Sequence, residues 1–385
     1  MSALLDNVDP DGLLEYSVVY TDRALNHMSR KFQAVMKDIS GILKQVHGAR
    51  SSIVVPGSGT FGMEAVARQF ANGKKVLVLR NGWFSYRWSQ ILEAGSIPSA
   101  QTVLKAARTA PDPRAPFAPA PADQVAEVIR RERPAVVFAP HVETASGLLL
   151  PDSYLGVVGA AAKEVGALFV LDCIASGAVW VDMRASSVDV LVSAPQKGWT
   201  GSPGCAFVML SEAARELIDN TTSTSFACDL RKWLQIMETY ESGGHAYHAT
   251  MPTDSLARTR DVMLESRAAG FENLRARQVE LGQRVRTLLE ARGFQSVAAP
   301  GFQAPGVVVS YTDDPSLASG KSFAAAGLQT AAGVPLQCDE GPDFRTFRVG
   351  LFGLDKLAHV DRTVSTLERV LDQVKPIDSG LPRAA

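Results

Sequence analysis

Cysteine is scarce and scattered in this chain. Only four occur in 385 residues, at Cys173, Cys205, Cys228 and Cys338, with no Cys-x-x-Cys pair and no metal-like spacing. So few thiols exclude a disulfide framework and a zinc ribbon, and they point to a reducing compartment. An excess of charge of one sign is also missing. The 39 basic residues are matched by 40 acidic ones, and no Lys/Arg block occurs. Nothing in that balance suits a polyanion, so no nucleic-acid partner is expected. Long apolar runs are absent as well. The most hydrophobic region, 157–181, is broken by Lys163, Glu164 and Asp172. It reads as a helix followed by a core strand, and no membrane partner is expected. Met1–Asn7 has neither a basic n-region nor an apolar h-region, which makes a cytoplasmic location the expectation.

What is present is apolar residue in quantity, 46% of the chain, enough to fill a large core. It falls into alternating helical and strand-like stretches. Asp9–Gly12 reads as a turn, and Phe32–His47 as an amphipathic helix with Phe32, Val35, Met36, Ile39, Ile42 and Leu43 on one face. Ser51–Pro56, Lys75–Arg80 and Ala135–Phe138 read as strands, with helices expected over Met63–Phe70, Val125–Arg131 and Phe226–Thr239. Five prolines in 110–122 predict an irregular surface connection. A long helix over Phe271–Arg292 leads to strands at Gly306–Tyr311 and Thr346–Gly350 and a last helix over Lys356–Val374. The tail, Pro376–Ala385, is expected to fray.

Two strand-like runs carry chemistry at their ends. Ala167–Leu171 is apolar throughout and closes on Asp172, and Val188–Ser193 delivers Ser193-Ala194-Pro195-Gln196-Lys197-Gly198-Trp199. Such runs are buried parallel strands, and open α/β sheets bind ligands at the carboxyl ends of their strands. A lysine and an acid so placed suit pyridoxal phosphate: the lysine joins the cofactor's aldehyde, and the acid pairs with its ring nitrogen. The competing reading of Lys197 is a solvated loop lysine. The flanking Ser, Gln and Gly and the matched aspartate strand favour the functional one.

Gly57, Gly59 and Gly62 satisfy Gly-x-Gly-x-x-Gly between a strand and a helix. The next strand, however, ends in Arg80-Asn81, with no acid for a ribose diol, so the dinucleotide reading is incomplete. A glycine turn opening a helix binds phosphate generally, and Ser58-Gly59-Thr60 is the expected cradle. A tight turn without ligand is the alternative.

On these residues the chain resembles the class V aminotransferases of the fold-type I pyridoxal-phosphate enzymes, most closely the alanine–glyoxylate and serine–pyruvate branch. The resemblance runs from about Phe32 to about Arg369. It implies an α/β fold with a large, mostly parallel sheet domain and a smaller α+β C-terminal domain. The divisions are 1–30 as an N-terminal arm, 31–260 as the cofactor-binding domain and 261–385 as the small domain. It also implies a homodimer with active sites at the interface.

By the same resemblance Phe84 stacks on the cofactor ring, with Trp83, Tyr86 and Trp88 as core-packing competitors. Thr144, in the His141–Gly147 turn, bonds the ring's phenolic oxygen. Gln196 supports the phosphate, and Tyr247 and Thr250 reach the neighbouring subunit's phosphate. Arg348 clamps the substrate's α-carboxylate, and Lys197 and Asp172 are the catalytic pair. His141 reads as structural. Family members carry a Gly-Pro-rich entry where this chain has Glu15–Tyr20. No second substrate-facing arginine is evident, which favours small side chains of the alanine, serine or glycine/glyoxylate type. The alternatives are a cysteine desulfurase or lyase of the same fold using Cys338, an NAD-linked oxidoreductase, and a non-catalytic descendant.

Overall fold

The computed structural model describes residues 13–375. The turn at Asp9–Gly12 and the tail Pro376–Ala385 lie outside the described residues. A seven-stranded sheet runs in the order Ser51–Pro56, Cys205–Leu210, Val190–Ser193, Leu168–Asp172, Val136–Pro140, Lys75–Arg80, Ala100–Lys105. Cys205–Leu210 is antiparallel to both its neighbours, and the other adjacent pairs are parallel. Helices cover its faces, so the middle strands are buried along their whole length. That two-sided burial is why they read as continuous apolar runs and not as alternating ones.

Helix α1 (Arg30–His47) starts with Ser29 accepting from the Phe32 N–H and stops at Gly48 in the left-handed conformation, the usual pairing of cap residues. Helix α2 (Gly59–Phe70) begins four residues earlier than the apolar pattern at Met63 suggested. Its first turn, Gly59 to Gly62, is poor in apolar side chains and carries no periodicity. Helix α3 (Trp83–Ala94) follows the Lys75–Arg80 strand directly.

A three-stranded sheet, Val307–Tyr311, Thr346–Gly350, Ala331–Ala332, forms the C-terminal layer, with Thr346–Gly350 antiparallel to both partners. A long helix, Phe271–Glu290, packs against it, burying Leu274, Leu281, Val285 and Leu289.

Two sequence expectations change, in the proline stretch and in the last helix, and one helix was not foreseen. The proline stretch holds a two-residue strand, Phe117–Ala118, paired with Ala107–Arg108. Phe117 is buried there because its N–H bonds Val297 and its ring packs into a third apolar cluster. A 17-residue helix, Thr253–Ala269, spans the expected 260/261 division. The last helix is two, Leu354–Ala358 and Val360–Val374, divided at His359.

The strand ends converge tightly at Gly198. A Cβ there would lie 2.0 Å from the Gly177 carbonyl oxygen, so only glycine lets the segment after Lys197 pass the Gly177 backbone. Gly198→Ala is expected to destabilise the protein by about 1–3 kcal/mol, the range for overpacking, and to displace Lys197. Thermal denaturation and cofactor absorbance check both effects. An unchanged Tm contradicts the close approach.

Candidate active site

The carboxyl ends of the central strands open into a cavity of about 160 Å³. It is lined by Ser58, Gly59, Thr60, Phe84, Thr144, Asp172, Gln196 and Lys197, together with Met63, Arg87, Val142, Ile174 and Ala175. Residues from five separate stretches therefore share one site, and eight of them are sites expected from the sequence. The size is below the roughly 300–1,000 Å³ of clefts for drug-sized ligands, which suits one substituted ring and not a dinucleotide.

Asp172 ends its strand opposite Val192 and Pro140, and its backbone carbonyl accepts from the His141 N–H at 2.8 Å. Its Oδ1 accepts from the Ile174 N–H at 2.9 Å. The carboxyl is almost fully buried, and desolvation pushes its pKa up to about 7, against the smaller opposing effect of that bond. A cationic ring nitrogen beside it would favour the ionised form.

Lys197 is half-buried, with Nζ 5.4 Å from the Phe352 ring centroid. Burial, followed by the charge of Arg348, holds its amine below the ordinary lysine pKa. Both shifts move the groups toward the neutral pH range, as catalytic acid–base groups require.

Ser58 stands at the N-cap of α2, yet its hydroxyl makes no capping bond. The first N–H groups of that helix, the Ser58 and Thr60 hydroxyls and the helix dipole make a donor set that fits a phosphate. Phe84, an acid and an amine share the cavity with it, so the residues present fit pyridoxal phosphate.

Two charged residues at or beside the cavity were not picked out from the sequence. Glu143 is completely buried and accepts from the Phe84 and Ser85 N–H groups at 3.3 and 2.8 Å, and from the Ala145 N–H at 2.9 Å. It ties the start of α3, and so Phe84, to the turn carrying Thr144. Burial raises its pKa against those bonds. Its position immediately before Thr144 was a signal, but what it holds depends on the approach of α3. The other is Arg87, whose Nη1 donates to Thr60 Oγ1 at 3.0 Å.

Arg348 is not among the lining residues. Its Nε donates to the Ala332 carbonyl at 2.8 Å, and its guanidinium carbon stands 5.7 Å from the Phe84 ring centroid. Among the described residues it forms no ion pair. Tyr247 and Thr250 also lie apart from the cavity, partnered with each other at 3.1 Å between their hydroxyls. His141 is buried, its Nδ1 2.7 Å from Ser176 Oγ, and burial depresses its pKa to about 3.

Cys338 is buried away from the cavity, with Sγ donating to the Arg80 carbonyl at 3.4 Å. Burial, then the carboxylates of Glu143 and Glu340, push its thiol up to about 12. A nucleophilic cysteine needs the reverse. Among the described residues no helix is long and apolar enough to cross a membrane, and no group of side chains could hold a metal.

No family model matches the chain. Curated proteins do. The 2-aminoethylphosphonate–pyruvate transaminase 2 of Paraburkholderia xenovorans is 30% identical over 346 residues, covering 86% of this chain and 84% of that protein. The 2-aminoethylphosphonate–pyruvate transaminase of Paraburkholderia phymatum is 29% identical over 357 residues, covering 91% of this chain and 89% of that protein. In fold, the chain superposes on an alanine–glyoxylate aminotransferase from Nostoc sp. with a TM-score of 0.73 at 23% identity, over 90% of this chain and 88% of that one. A small cavity with an acid, an amine and a phosphate cradle, on a sheet shared with relatives that move amino groups, has one consistent explanation: the chain belongs to the class V aminotransferases, fold-type I enzymes that work with pyridoxal phosphate.

Proposed function

We propose that this aminotransferase takes an amino group from a small donor with a single anionic head group and gives it to pyruvate or glyoxylate. The observation that carries this reading is Arg348. Among the described residues its guanidinium has backbone carbonyls for partners and no carboxylate within ion-pair distance, and it is close enough to Lys197 to depress that amine. One planar fork matches one anionic group, a carboxylate as in alanine or serine. The 2-aminoethylphosphonate named for the relatives also carries one anionic head, and a phosphonate accepts the same paired hydrogen bonds.

When bound, pyridoxal phosphate supplies the electron sink that acidifies the hydrogen on the donor's amino-bearing carbon. The chain's own residues do the rest. The lowered pKa of Lys197 leaves more of its Nζ unprotonated at neutral pH, so it can take that proton and return it. With the cofactor bound, Asp172 would hold a proton on the ring nitrogen, Phe84 would shield the ring from water, and Thr144 would donate to the phenolic oxygen. Ser58, Gly59, Thr60 and Gln196 would hold the phosphate. Tyr247 and Thr250 complete a partner's phosphate site across a homodimer. The division into an arm over 1–30, a cofactor-binding unit over 31–260 and a small unit over 261–385 belongs to the same reading.

The donor leaves as its oxo product before the acceptor enters, so ping-pong kinetics follow. Mixing holoenzyme separately with alanine, serine, glycine, 2-aminoethylphosphonate, aspartate and glutamate tests the class. The cofactor's visible band is expected to disappear with at least one of the first four and to persist with the two dicarboxylates. Bleaching by aspartate or glutamate as fast as by the small donors contradicts the single-anion site.

A further inference from the structure

Arg87 sits on α3 one turn after Phe84, half-buried, and lines the cavity. Its guanidinium carbon is 5.3 Å from the Phe84 ring centroid, and Nη1 donates to Thr60 Oγ1. Among the described residues it forms no ion pair, although Asp172 lines the same cavity. A guanidinium carries five N–H donors in a planar fork, and Thr60 takes one. Among the described residues no carboxylate lies within ion-pair distance of the rest, although the charge of Arg87 reaches Asp172 and lowers it, and half-burial limits what water can do. The hydroxyl it touches belongs to the turn that opens α2, whose free N–H groups already favour an anion at that point.

The neutral donors of the cradle, Ser58, Thr60 and backbone N–H, cannot by themselves balance a phosphate monoester of nearly two negative charges at neutral pH. An arginine beside them can, through a charge-assisted, two-pronged contact. From this placement we infer that Arg87 is a phosphate-binding residue of the cofactor site, supplying the cation that the Ser58–Thr60 cradle lacks. The inference rests on this cavity being the pyridoxal-phosphate site. It leaves Arg348 as the guanidinium for the donor's anionic group. It also gives Thr60 a second role, as the hydroxyl that aims the arginine.

The test separates phosphate from ring. Full-length apoprotein, wild type and Arg87→Gln, is titrated with pyridoxal phosphate and with pyridoxal, which lacks the phosphate. Tryptophan fluorescence and the visible band are the readouts. Loss of one charged hydrogen-bonding partner is expected to weaken pyridoxal-phosphate affinity about tenfold to a hundredfold and to leave pyridoxal affinity unchanged. Inorganic phosphate is expected to compete less well with the cofactor on the variant. Arg87→Met, which keeps the aliphatic stem over Phe84, replaces the glutamine variant if that one does not fold. Unchanged pyridoxal-phosphate affinity overturns the inference, and so does equal weakening of both ligands, which would mark a structural role. A wild-type apoprotein that binds pyridoxal phosphate no better than pyridoxal removes the cradle itself, a different failure.

Discussion

Lys197→Ala is expected to lower turnover by about ten-thousandfold or more, because it removes both the covalent anchor and the proton-transferring amine. The cofactor would then be held only by the phosphate cradle and the stacked ring, and it should be lost on gel filtration that the wild-type enzyme survives. The fold should persist, since Lys197 is half-buried and among the described residues its side chain makes no hydrogen bond, Nζ lying over the Phe352 ring. Steady-state rates with the best donor, together with the cofactor content after filtration, check both parts. A variant retaining even a few per cent of activity would move the proton-transfer role to another side chain.

Asp172→Asn should produce a loss of activity and a gain of stability in the same molecule. Burial raises the Asp172 carboxyl from 3.8 to about 7, whereas in the unfolded chain it titrates near its ordinary value of about 3.9. Between those two values the folded protein keeps a proton that the unfolded chain releases. Cofactor-free protein therefore loses stability as pH rises from about 4 to about 7, and it stays at the lower level above that. Asparagine carries no charge to bury. The variant apoprotein should accordingly melt at a higher temperature than wild type at pH 8 and at a similar one near pH 4. Activity should fall about a hundredfold to a thousandfold, the range for removing one preorganised electrostatic group. Equal pH dependence of Tm in the two apoproteins would contradict the buried, neutral carboxyl. The opposition of the two effects has one source in the proposed role: a buried acid costs stability when ionised alone and would be matched by a cationic ring.

Much of this site could be read from the residues, because its chemistry sits at the ends of strands buried on both sides. Leu168–Asp172 and Val190–Ser193 are continuous apolar runs, and whatever polar group follows such a run must emerge at the sheet's ligand-binding edge. Thr346–Gly350 was legible at both ends for a different reason, its buried Phe347 and Val349 alternating with the half-buried Arg348 before Gly350. The Thr253–Ala269 helix was not. Its buried face includes Thr253, Thr259 and Ser266 beside Leu256, Val262 and Met263, so polarity does not alternate with burial and the helical period is hidden. Phe117 gave no signal among its prolines, since its partners are Ala298 and Val297, distant in sequence.

The two site residues that escaped notice share a cause. Glu143 and Arg87 are charged residues, and charged residues read as solvated unless something says otherwise. What distinguishes them is a tertiary approach: α3 lies against the short Val142–Glu143 strand on one side and against the start of α2 on the other. Tyr247 and Thr250 mark a different limit of single-chain reasoning. Their expected target is a second subunit, and among the described residues their hydroxyls bond each other while the Tyr247 ring packs on His27.

The most direct test of the account is to reduce the holoenzyme with borohydride, digest it and locate the cofactor by peptide mass mapping. The account predicts a single labelled peptide with the pyridoxyl group on Lys197, and no label in Lys197→Ala. Label on any other lysine, or none on a protein that transaminates, would contradict it.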